Sequence, residues 1–193
     1  AGNLVNQDPQ ILFDWNAIGG SNFYLLEVDT SLSFNSINKR NAVTSSTTTA
    51  ISISNLKFGR TYYWRVAAVN SSDTSDWSIN RTFSTIDQIT LASPSFGAQN
   101  EDIRLFLRWI SINGTNGYLY ELDTTNSFNS NLLESGLAGS STVNASGIQV
   151  FNLRFGTKYY WRIAATTSLD TSNWSTVFNF TTLDQISLVS PAD

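Results

Sequence analysis

The sequence contains no cysteine, no histidine and no methionine. Without cysteine there can be no disulfide framework, thiol nucleophile or thiolate metal site. Without histidine the chain lacks the commonest general base and the commonest nitrogen ligand for zinc or copper. Without methionine it has no translation start, so we expect a piece or a processed form of a longer protein. Much of enzyme and metal chemistry is therefore excluded before any pattern is considered.

Charged side chains are also scarce, at 13% of residues, which is about half the share in an average globular protein. Serine, threonine and asparagine together make up 68 of the 193 residues, so the surface is polar but weakly charged. The net charge of −4 argues against nucleic acid or an anionic membrane as a partner. No apolar run approaches the roughly 20 residues that a membrane-spanning helix needs, so membrane insertion is not expected.

Two copies of one pattern fill most of the chain. The segment N-L-K-F-G-R-T-Y-Y-W-R-V-A-A at Asn55–Ala68 returns as N-L-R-F-G-T-K-Y-Y-W-R-I-A-A at Asn152–Ala165, with ten of fourteen positions identical. Three shorter segments also return in the same order, and their two copies begin at Glu27 and Glu121, at Asp73 and Asp170, and at Asp87 and Asp184. A repeat of about 100 residues is a whole domain rather than a solenoid unit.

The repeat predicts the domain organisation. We expect a first domain over residues 1–88 and a second domain over residues 89–186. Residues 187–193 are predicted to be the start of a further repeat or a tail. Modules of this size are commonly joined in series, so a longer tandem array is the favoured interpretation.

The segment that joins the two predicted domains has a second copy near the end of the chain. D-Q-I-T-L-A-S-P at Asp87–Pro94 leads into the first strand of the second domain, and no matching piece precedes Ala1. The start of the first domain's first strand is therefore expected to be missing. The second copy is D-Q-I-S-L-V-S-P at Asp184–Pro191, and its part Ile186–Pro191 is predicted either to fray or to add as a strand to the first domain of a neighbouring molecule.

The hydrophobic pattern is that of short β-strands throughout. In Tyr62–Ala68 large apolar side chains alternate at a period of two, so the even-numbered residues are predicted to face the core. Tyr63, Arg65 and Ala67 are predicted to face outward. Tyr24–Val28 alternates in the same way, with its even-numbered residues inward. Because no window shows a helical period, the pattern predicts an antiparallel β-sandwich. Further strands are predicted at Ile11–Trp15, Ala50–Leu56 and Arg81–Thr85.

The strongest family signature lies in the sixth predicted strand. Leu56–Tyr62, followed by Arg65–Asn70, resembles the sixth strand of fibronectin type III domains, and the pattern returns in the second repeat. Trp15 and Trp109 stand where that family keeps the core tryptophan of its second strand. The resemblance implies an all-β fold of two tandem immunoglobulin-like antiparallel β-sandwiches with about seven strands each. It also implies tyrosine corners, whose hydroxyls bond to nearby backbone, at Tyr62 and Tyr159.

Two details refine the resemblance. Phe58 and Phe155 stand where the family usually has proline, while the following glycine and the tyrosine stay in register. The D-T-S-x-W-S and F-x-T patterns near the last strand look like versions found in secreted proteins of bacteria. The resemblance therefore implies an extracellular or cell-surface location.

Acidic residues are the remaining candidates for catalysis. A carboxylate pair can hydrolyse a glycosidic bond, but it needs two unlike environments in one cleft, whereas most acidic residues here recur in both repeats. A repeated residue indicates a repeated scaffold role. Glu27 and Glu121 are predicted to form cross-strand ion pairs with Arg65 and Arg162. No catalytic residue is predicted.

Oxygen ligands for calcium are also present. Asp29 and Asp123, or the loop that carries Asp73 and Asp76, could contribute to a Ca²⁺ site, although nothing resembles an EF-hand loop. Aspartate in tight turns more often serves local hydrogen bonding. No metal site and no cofactor is predicted.

Six outward side chains form the predicted ligand or partner surface. They are Tyr63, Arg65 and Trp77 in the first repeat and Tyr160, Arg162 and Trp174 in the second. Large exposed aromatics can form a sugar platform or a partner contact. The alternative is a Trp–Arg–Tyr ladder that covers and rigidifies the sheet, and the presence of these residues in both copies favours that alternative.

Features that differ between the repeats are better candidates for specific recognition. Lys39–Arg40 gives the first domain a small basic spot in its central loop. Phe106 and Arg108 replace Leu12 and Asp14 on an outward face of the second domain. Neutral drift between duplicated domains explains the same differences without a ligand.

These patterns predict a non-catalytic extracellular spacer or interaction module of a larger secreted or cell-surface protein. Its partners would be flanking domains of the same chain and either a polysaccharide or a surface protein. Two alternatives stay open. Carbohydrate binding, as an accessory module of a polysaccharide-degrading enzyme, needs exposed aromatics spaced to match sugars. Adhesion to a protein partner needs a patch that is unique to one domain.

Overall fold

The structure is a computed structural model that describes residues 4–138 and 147–184. The chain divides into two compact units, residues 1–87 and 88–193. The described residues form fifteen strands and no helix, so no described segment is a helix that could cross a membrane. The predicted start of a further repeat, residues 187–193, lies outside the described residues.

The first unit is a sandwich of two sheets. Its larger sheet has the strand order β1-β7-β6-β3-β4, and its smaller sheet pairs β2 with β5. The pairing of β1 with β7 is parallel, and the other pairings are antiparallel. These strands are β1 (Leu4–Gln7), β2 (Ile11–Asp14), β3 (Phe23–Asp29), β4 (Arg40–Ser45), β5 (Ala50–Ile53), β6 (Thr61–Val69) and β7 (Arg81–Thr85).

The core of the first unit lies between its two sheets. The even-numbered residues of β3 from Tyr24 to Val28 are fully buried, as their alternation predicts. Phe13 of β2 packs across the sandwich against Trp64 and Phe83, with ring centroids 5.3 and 5.7 Å away. Because burial of one such large apolar side chain stabilises a fold by about 1.5–3 kcal/mol, these few residues account for much of the cohesion of the unit.

The second unit repeats this sandwich. Its larger sheet has the order β12-β11-β14-β15-β9, and its smaller sheet has the order β13-β10-β8. Here β9 pairs in parallel with β15. The strands are β8 (Leu91–Ser93), β9 (Ala98–Glu101), β10 (Leu105–Trp109), β11 (Gly117–Asp123), β12 (Glu134–Ala138), β13 (Gly147–Val150), β14 (Lys158–Thr166) and β15 (Phe178–Thr182).

The two units differ at one edge of the smaller sheet. In the second unit β8 pairs with β10, while in the first unit β2 pairs with β5 and no further strand is found among its described residues. Apart from this edge, the two sheet orders are the same. Two immunoglobulin-like β-sandwiches in series, the predicted fold class, are thus confirmed.

The implied tyrosine corners are present in both units. The backbone N–H of Lys57 donates to the hydroxyl oxygen of Tyr62 at 2.9 Å, and the N–H of Arg154 donates to that of Tyr159 at 2.9 Å. In each unit the bond ties the start of the strand to the turn before it, so this part of the resemblance is confirmed.

Two details differ from the sequence-based expectations. The strand Arg40–Ser45 is not among the predicted strands, and its first residue, Arg40, had been placed in a loop; its serine, threonine and asparagine side chains hide the alternation that identifies strands. Ala67 shares the outward face of Arg65, yet it is buried. Alternation predicts which face a side chain occupies but not whether a loop covers that face.

Candidate functional site

The predicted surface of the first unit centres on a cross-strand ion pair. Glu27 on β3 stands directly opposite Arg65 on β6. The Arg65 Nε and Nη2 atoms donate to Glu27 Oε2 at 2.9 and 2.7 Å, and Lys39 Nζ donates to Oε1 at 2.5 Å. Burial alone would raise the pKa of Glu27, but the bonds from Lys39 and Arg65 outweigh it and hold that pKa below its usual value. The predicted ion pair is confirmed, and Lys39 is part of it rather than of a free basic spot.

The guanidinium of Arg65 lies between two aromatic rings. Its Cζ atom is 4.0 Å from the ring centroid of Phe34 and 4.4 Å from that of Trp77. Phe34 is buried in the loop between β3 and β4, at a positive φ of 51° that turns the loop back over the sheet. We call Glu27, Phe34, Arg65 and Trp77 the Arg65 cluster. Cation–π contact on both faces holds the arginine in place while its edge meets the glutamate.

The second unit repeats this arrangement as the Arg162 cluster. Arg162 Nε and Nη2 lie 2.7 and 2.6 Å from Glu121 Oε2. The guanidinium is 4.1 Å from the ring centroid of Phe128 and 4.7 Å from that of Trp174. Each cluster covers its sheet. The pair of Arg162 and Glu121 is neutral, whereas in the first unit Lys39 adds a second positive charge beside Glu27. The phenylalanine of each cluster was not predicted from the sequence, although S-F-N-S recurs at equivalent positions of both copies.

The predicted tyrosines lie beside the clusters without joining the stacks. Tyr63 and Tyr160 are half-buried on the same sheet face as the arginines, opposite Asp29 and Asp123 on the neighbouring strands. The Nζ atom of Lys158 lies 5.3 Å from the ring centroid of Tyr160. The structure therefore brings together Arg65 with Trp77, and Arg162 with Trp174, whereas the tyrosine of each predicted ladder is replaced by a phenylalanine.

The two aspartates considered for calcium are fully buried at the ends of β3 and β11. Asp29 accepts bonds from the backbone N–H and the hydroxyl of Ser36, and Asp123 accepts the same pair from Ser130. Burial raises the pKa of Asp123, but the bonds to Ser130, Thr124 and Thr125 outweigh it and lower that pKa to about 2. Each carboxylate closes its loop, and the described part of the chain has no group of three acidic side chains that could hold a metal ion.

An exposed face of the second unit is unlike its counterpart in the first. Phe106 on β10 is 43% exposed and Phe151, directly after β13, is 48% exposed. Arg108 lies 4.7 Å from the ring centroid of Phe106, and Arg104 lies 5.1 Å from that of Phe151. We call these four residues the Arg–Phe face. The equivalent positions of the first unit hold Gln10, Leu12, Asp14 and Ser54.

The comparisons with known proteins concern the fold. No family model matches the chain, and no curated protein matches it. The chain is similar to a solved two-domain fibronectin type III segment of chicken tenascin, with 13% identity and a TM-score of 0.42 over 92% of this chain and 94% of that one. It is also similar to the FN1–FN3 domains of chicken CNTN1, with 14% identity and a TM-score of 0.39 over 94% of this chain. It spans 62% of the CNTN1 chain.

Proposed function

We propose that this chain is a non-catalytic module of a larger secreted or cell-surface protein, where it serves as a spacer and an interaction scaffold. We propose further that the Arg–Phe face of the second unit binds a protein partner with an acidic surface. The tandem sandwich organisation supports the spacer role, and the Arg–Phe face supports the binding role.

The use of the carboxylates supports a non-catalytic role. The described acidic groups whose pKa departs from its usual value are Glu27, Asp29 and Asp123, and each is held by structural hydrogen bonds. The arginine contact of Glu27 recurs at Glu121, and the serine contacts of Asp29 recur at Asp123. An active site usually contains a perturbed acid or base that faces a cleft, whereas these groups face their own loops and strands.

The observation that carries the proposed binding role is the Arg–Phe face. Arginine and aromatic residues are enriched at the centres of protein interfaces, where the ring supplies apolar area and the guanidinium supplies directed hydrogen bonds. The face combines two of each: Phe106 and Arg108 lie on β10, and Arg104 and Phe151 directly flank the paired strands β10 and β13. Because the first unit lacks all four residues, scaffold duplication does not account for them.

A protein partner fits this face better than a polysaccharide. Sugar rings stack on an open aromatic face, whereas Phe106 and Phe151 each carry a guanidinium within 5.1 Å of the ring centroid. Tyr63 and Tyr160, the alternative sugar-binding residues, are half-buried. Carboxylates of a partner can pair with Arg104 and Arg108 while its apolar side chains pack on the rings.

Retention on immobilised poly-glutamate tests the electrostatic part of the proposal. The wild type, although its net charge is −4, is expected to be retained at low salt, and R104Q/R108Q is expected to elute earlier. K57Q/R60Q removes two positive charges outside the Arg–Phe face and serves as the matched control. Equal elution of the two double variants would contradict a role for this face.

Depletion by insoluble polysaccharides tests the carbohydrate alternative. We expect no depletion of the wild type by cellulose, chitin, xylan or starch. Depletion that Tyr63→Ala/Tyr160→Ala abolishes would favour sugar binding through the predicted tyrosines. Depletion that Phe106→Ser/Phe151→Ser abolishes would mean that the Arg–Phe face is the binding site but that its ligand is a polysaccharide. The proposed location is tested by labelling intact producing cells with a membrane-impermeant amine reagent.

A further inference from the structure

Two asparagine–glycine pairs stand close together where the chain passes from β10 to β11. They are Asn113–Gly114 and Asn116–Gly117. An asparagine side chain can lose its amide when the backbone nitrogen of the next residue attacks the side-chain carbonyl. Glycine in that next position favours the attack, because it has no side chain to hinder the approach and its backbone is unusually free to rotate. Since the two pairs share this chemistry, their surroundings decide which of them reacts.

The pair Asn113–Gly114 lies in an exposed turn. The side chain of Asn113 is exposed, and Gly114 has a positive φ of 81°. Neither the Gly114 N–H nor the Asn113 side-chain amide makes a hydrogen bond to another residue that the structure describes. The attacking nitrogen and the carbonyl that it attacks are therefore both open to water and unrestrained by the described part of the fold.

The residues on either side of this turn are fixed. The backbone N–H of Ile112 donates to the hydroxyl oxygen of Tyr118 at 2.8 Å, and both residues are buried. The hydroxyl of Thr115 donates to the carbonyl of Ile112 at 2.9 Å. These bonds join the two ends of the turn to the core of the second unit, so a change in the length of the backbone between them would disturb the core.

The pair Asn116–Gly117 is held by the sheet. Gly117 is the first residue of β11, is buried and stands opposite Thr166 of β14. The backbone N–H of Asn116 donates to the carbonyl of Thr166 at 2.7 Å. A β-carbon on Gly117 would lie 3.2 Å from the side chain of Leu137, which shows how closely the strand is packed. This backbone must open locally before the nitrogen of Gly117 can reach the side chain of Asn116.

We propose that Asn113 is a site of spontaneous deamidation in the folded protein and that Asn116 is protected from it. The nitrogen of Gly114 forms a bond to Cγ of Asn113, the bond from Cγ to Nδ2 breaks, and Nδ2 leaves as ammonia with the proton of the Gly114 N–H. Water then opens the resulting ring at either of its two carbonyls. One opening gives aspartate, and the other gives aspartate that is linked to Gly114 through its side chain. Water is the only co-reactant.

The modification distinguishes the second unit from the first. Gly19–Gly20 occupies the equivalent turn of the first unit, with a φ of +84° at Gly20, and it has no side-chain amide to lose. Either product adds a negative charge at Asn113. The side-chain-linked product also adds a methylene group to the backbone between Ile112 and Thr115, whose bonds fix the ends of the turn. Aging of the protein is therefore expected to weaken the second unit alone.

Peptide mapping by mass spectrometry after incubation in mildly alkaline buffer tests the site. In the folded chain we expect the mass gain of a deamidation at Asn113, and at Asn116 at least about tenfold more slowly, because local opening must precede reaction there. In concentrated guanidinium chloride we expect similar rates at both. Equal rates in the folded chain would overturn the proposal, and a preference for Asn113 that persists unchanged in denaturant would overturn its structural cause.

Two matched variants test the assignment to one residue. Asn113→Gly gives the turn the glycine pair that the first unit already accommodates, so it is expected to fold and to lose the early modification. Asn116→Gln removes the other asparagine–glycine pair and is expected to be modified at the wild-type rate. A wild-type rate in Asn113→Gly, or a slowed rate in Asn116→Gln, would overturn the assignment.

The expected weakening of the second unit is tested on aged protein. Anion-exchange chromatography separates the more negative aged fraction, and a protein isoaspartyl methyltransferase identifies the side-chain-linked form in it. Asn113→Asp is the control, because it carries the added charge without the added methylene group. We expect the aged fraction to unfold at a lower denaturant concentration than Asn113→Asp, with the loss of hydrogen-exchange protection confined to the second unit. Equal unfolding of the two would overturn the backbone effect.

Discussion

A β-carbon placed on Gly59 would collide with the carboxylate of Asp87. The two residues meet where the turn before β6 approaches the end of the first unit, and the N–H of Gly59 donates to the carbonyl of Ile86 at 2.9 Å. Gly59 also has a φ of +60°, a region that costs other residues about 1–2 kcal/mol. Gly156 stands in the same relation to Asp184 at a φ of +55°. The backbone conformation therefore favours glycine at both positions, and a β-carbon would in addition displace the neighbouring carboxylate.

Substitution of these glycines is expected to destabilise the unit that carries them. Gly59→Ala and Gly156→Ala should each lower the free energy of unfolding by about 1–2 kcal/mol, mainly through backbone strain, since the carboxylate of Asp87 or Asp184 can turn aside. Gly19→Ala is the control, because Gly19 has open space around its α-carbon, and its effect should stay within about 0.5 kcal/mol. Urea denaturation with peptide-resolved hydrogen exchange would assign each loss to one unit.

The tyrosine corners give a second prediction. Tyr62→Phe and Tyr159→Phe remove the acceptor of a backbone N–H, so each should cost about 1–2 kcal/mol of unfolding free energy. Tyr63→Phe changes the adjacent residue on the opposite sheet face and should be nearly neutral. Thermal denaturation of the three variants would measure the loss of stability caused by removing each hydroxyl. A Tyr63→Phe loss as large as the other two would mean that the hydroxyl bond is not the cause.

Acid is expected to weaken the second unit through Asp123. Its folded pKa of about 2 lies below the unfolded value, so the stabilisation is complete above roughly pH 4 and is lost as pH falls towards 2. The contribution is on the order of 2 kcal/mol at neutral pH. Asp123→Asn should reduce the dependence of unfolding free energy on pH in this window. An unchanged slope in Asp123→Asn would contradict the assignment.

The stacked arginines give a fourth prediction. Arg65→Lys keeps the positive charge but loses the planar group that lies between Phe34 and Trp77, so it should cost about 1–2 kcal/mol. Lys39→Gln removes the other positive charge that bonds to Glu27, at a partly exposed site, and should cost less than about 1 kcal/mol. Chemical denaturation of both variants in low and high salt would separate the cation–π contribution from the ionic one. A dominant electrostatic role would instead make Lys39→Gln the more damaging and more salt-sensitive change.

Much of the fold could be predicted from local patterns. The alternation in β3 and β6 correctly placed Tyr24 and Tyr62 in the core, and the repeat correctly indicated two similar sandwiches. The ion pair between Glu27 and Arg65 followed from neighbouring strands. Local alternation could not predict β4, because Thr44 is a polar residue that faces inward and is buried. A short, partly apolar strand of this kind is recognised only through its pairing with β3.

The candidate sites were less predictable because they depend on loops. Phe34 reaches Arg65 only because the loop after β3 turns back over the sheet, held by the bonds from Ser36 to Asp29. The spacing of residues along the chain does not predict that the loop turns back over the sheet. The Arg–Phe face was partly foreseen at Phe106 and Arg108, which share one strand. Arg104 and Phe151 join it through the pairing of β10 with β13, whose register the sequence does not state.

The parallel pairing of β1 with β7 has a mechanical consequence. These are the first and last described strands of their unit, and Leu4 lies opposite Phe83 while Gln7 lies opposite Thr85. Tension applied to the two ends of the unit pulls parallel neighbours in opposite directions along their length. The bonds between them are then loaded together in shear, rather than opened one after another as in a zipper. In the second unit β9 and β15 also pair in parallel, but β8 precedes β9 and pairs with β10, so tension on that unit reaches the β9–β15 pair only after it has pulled on β8.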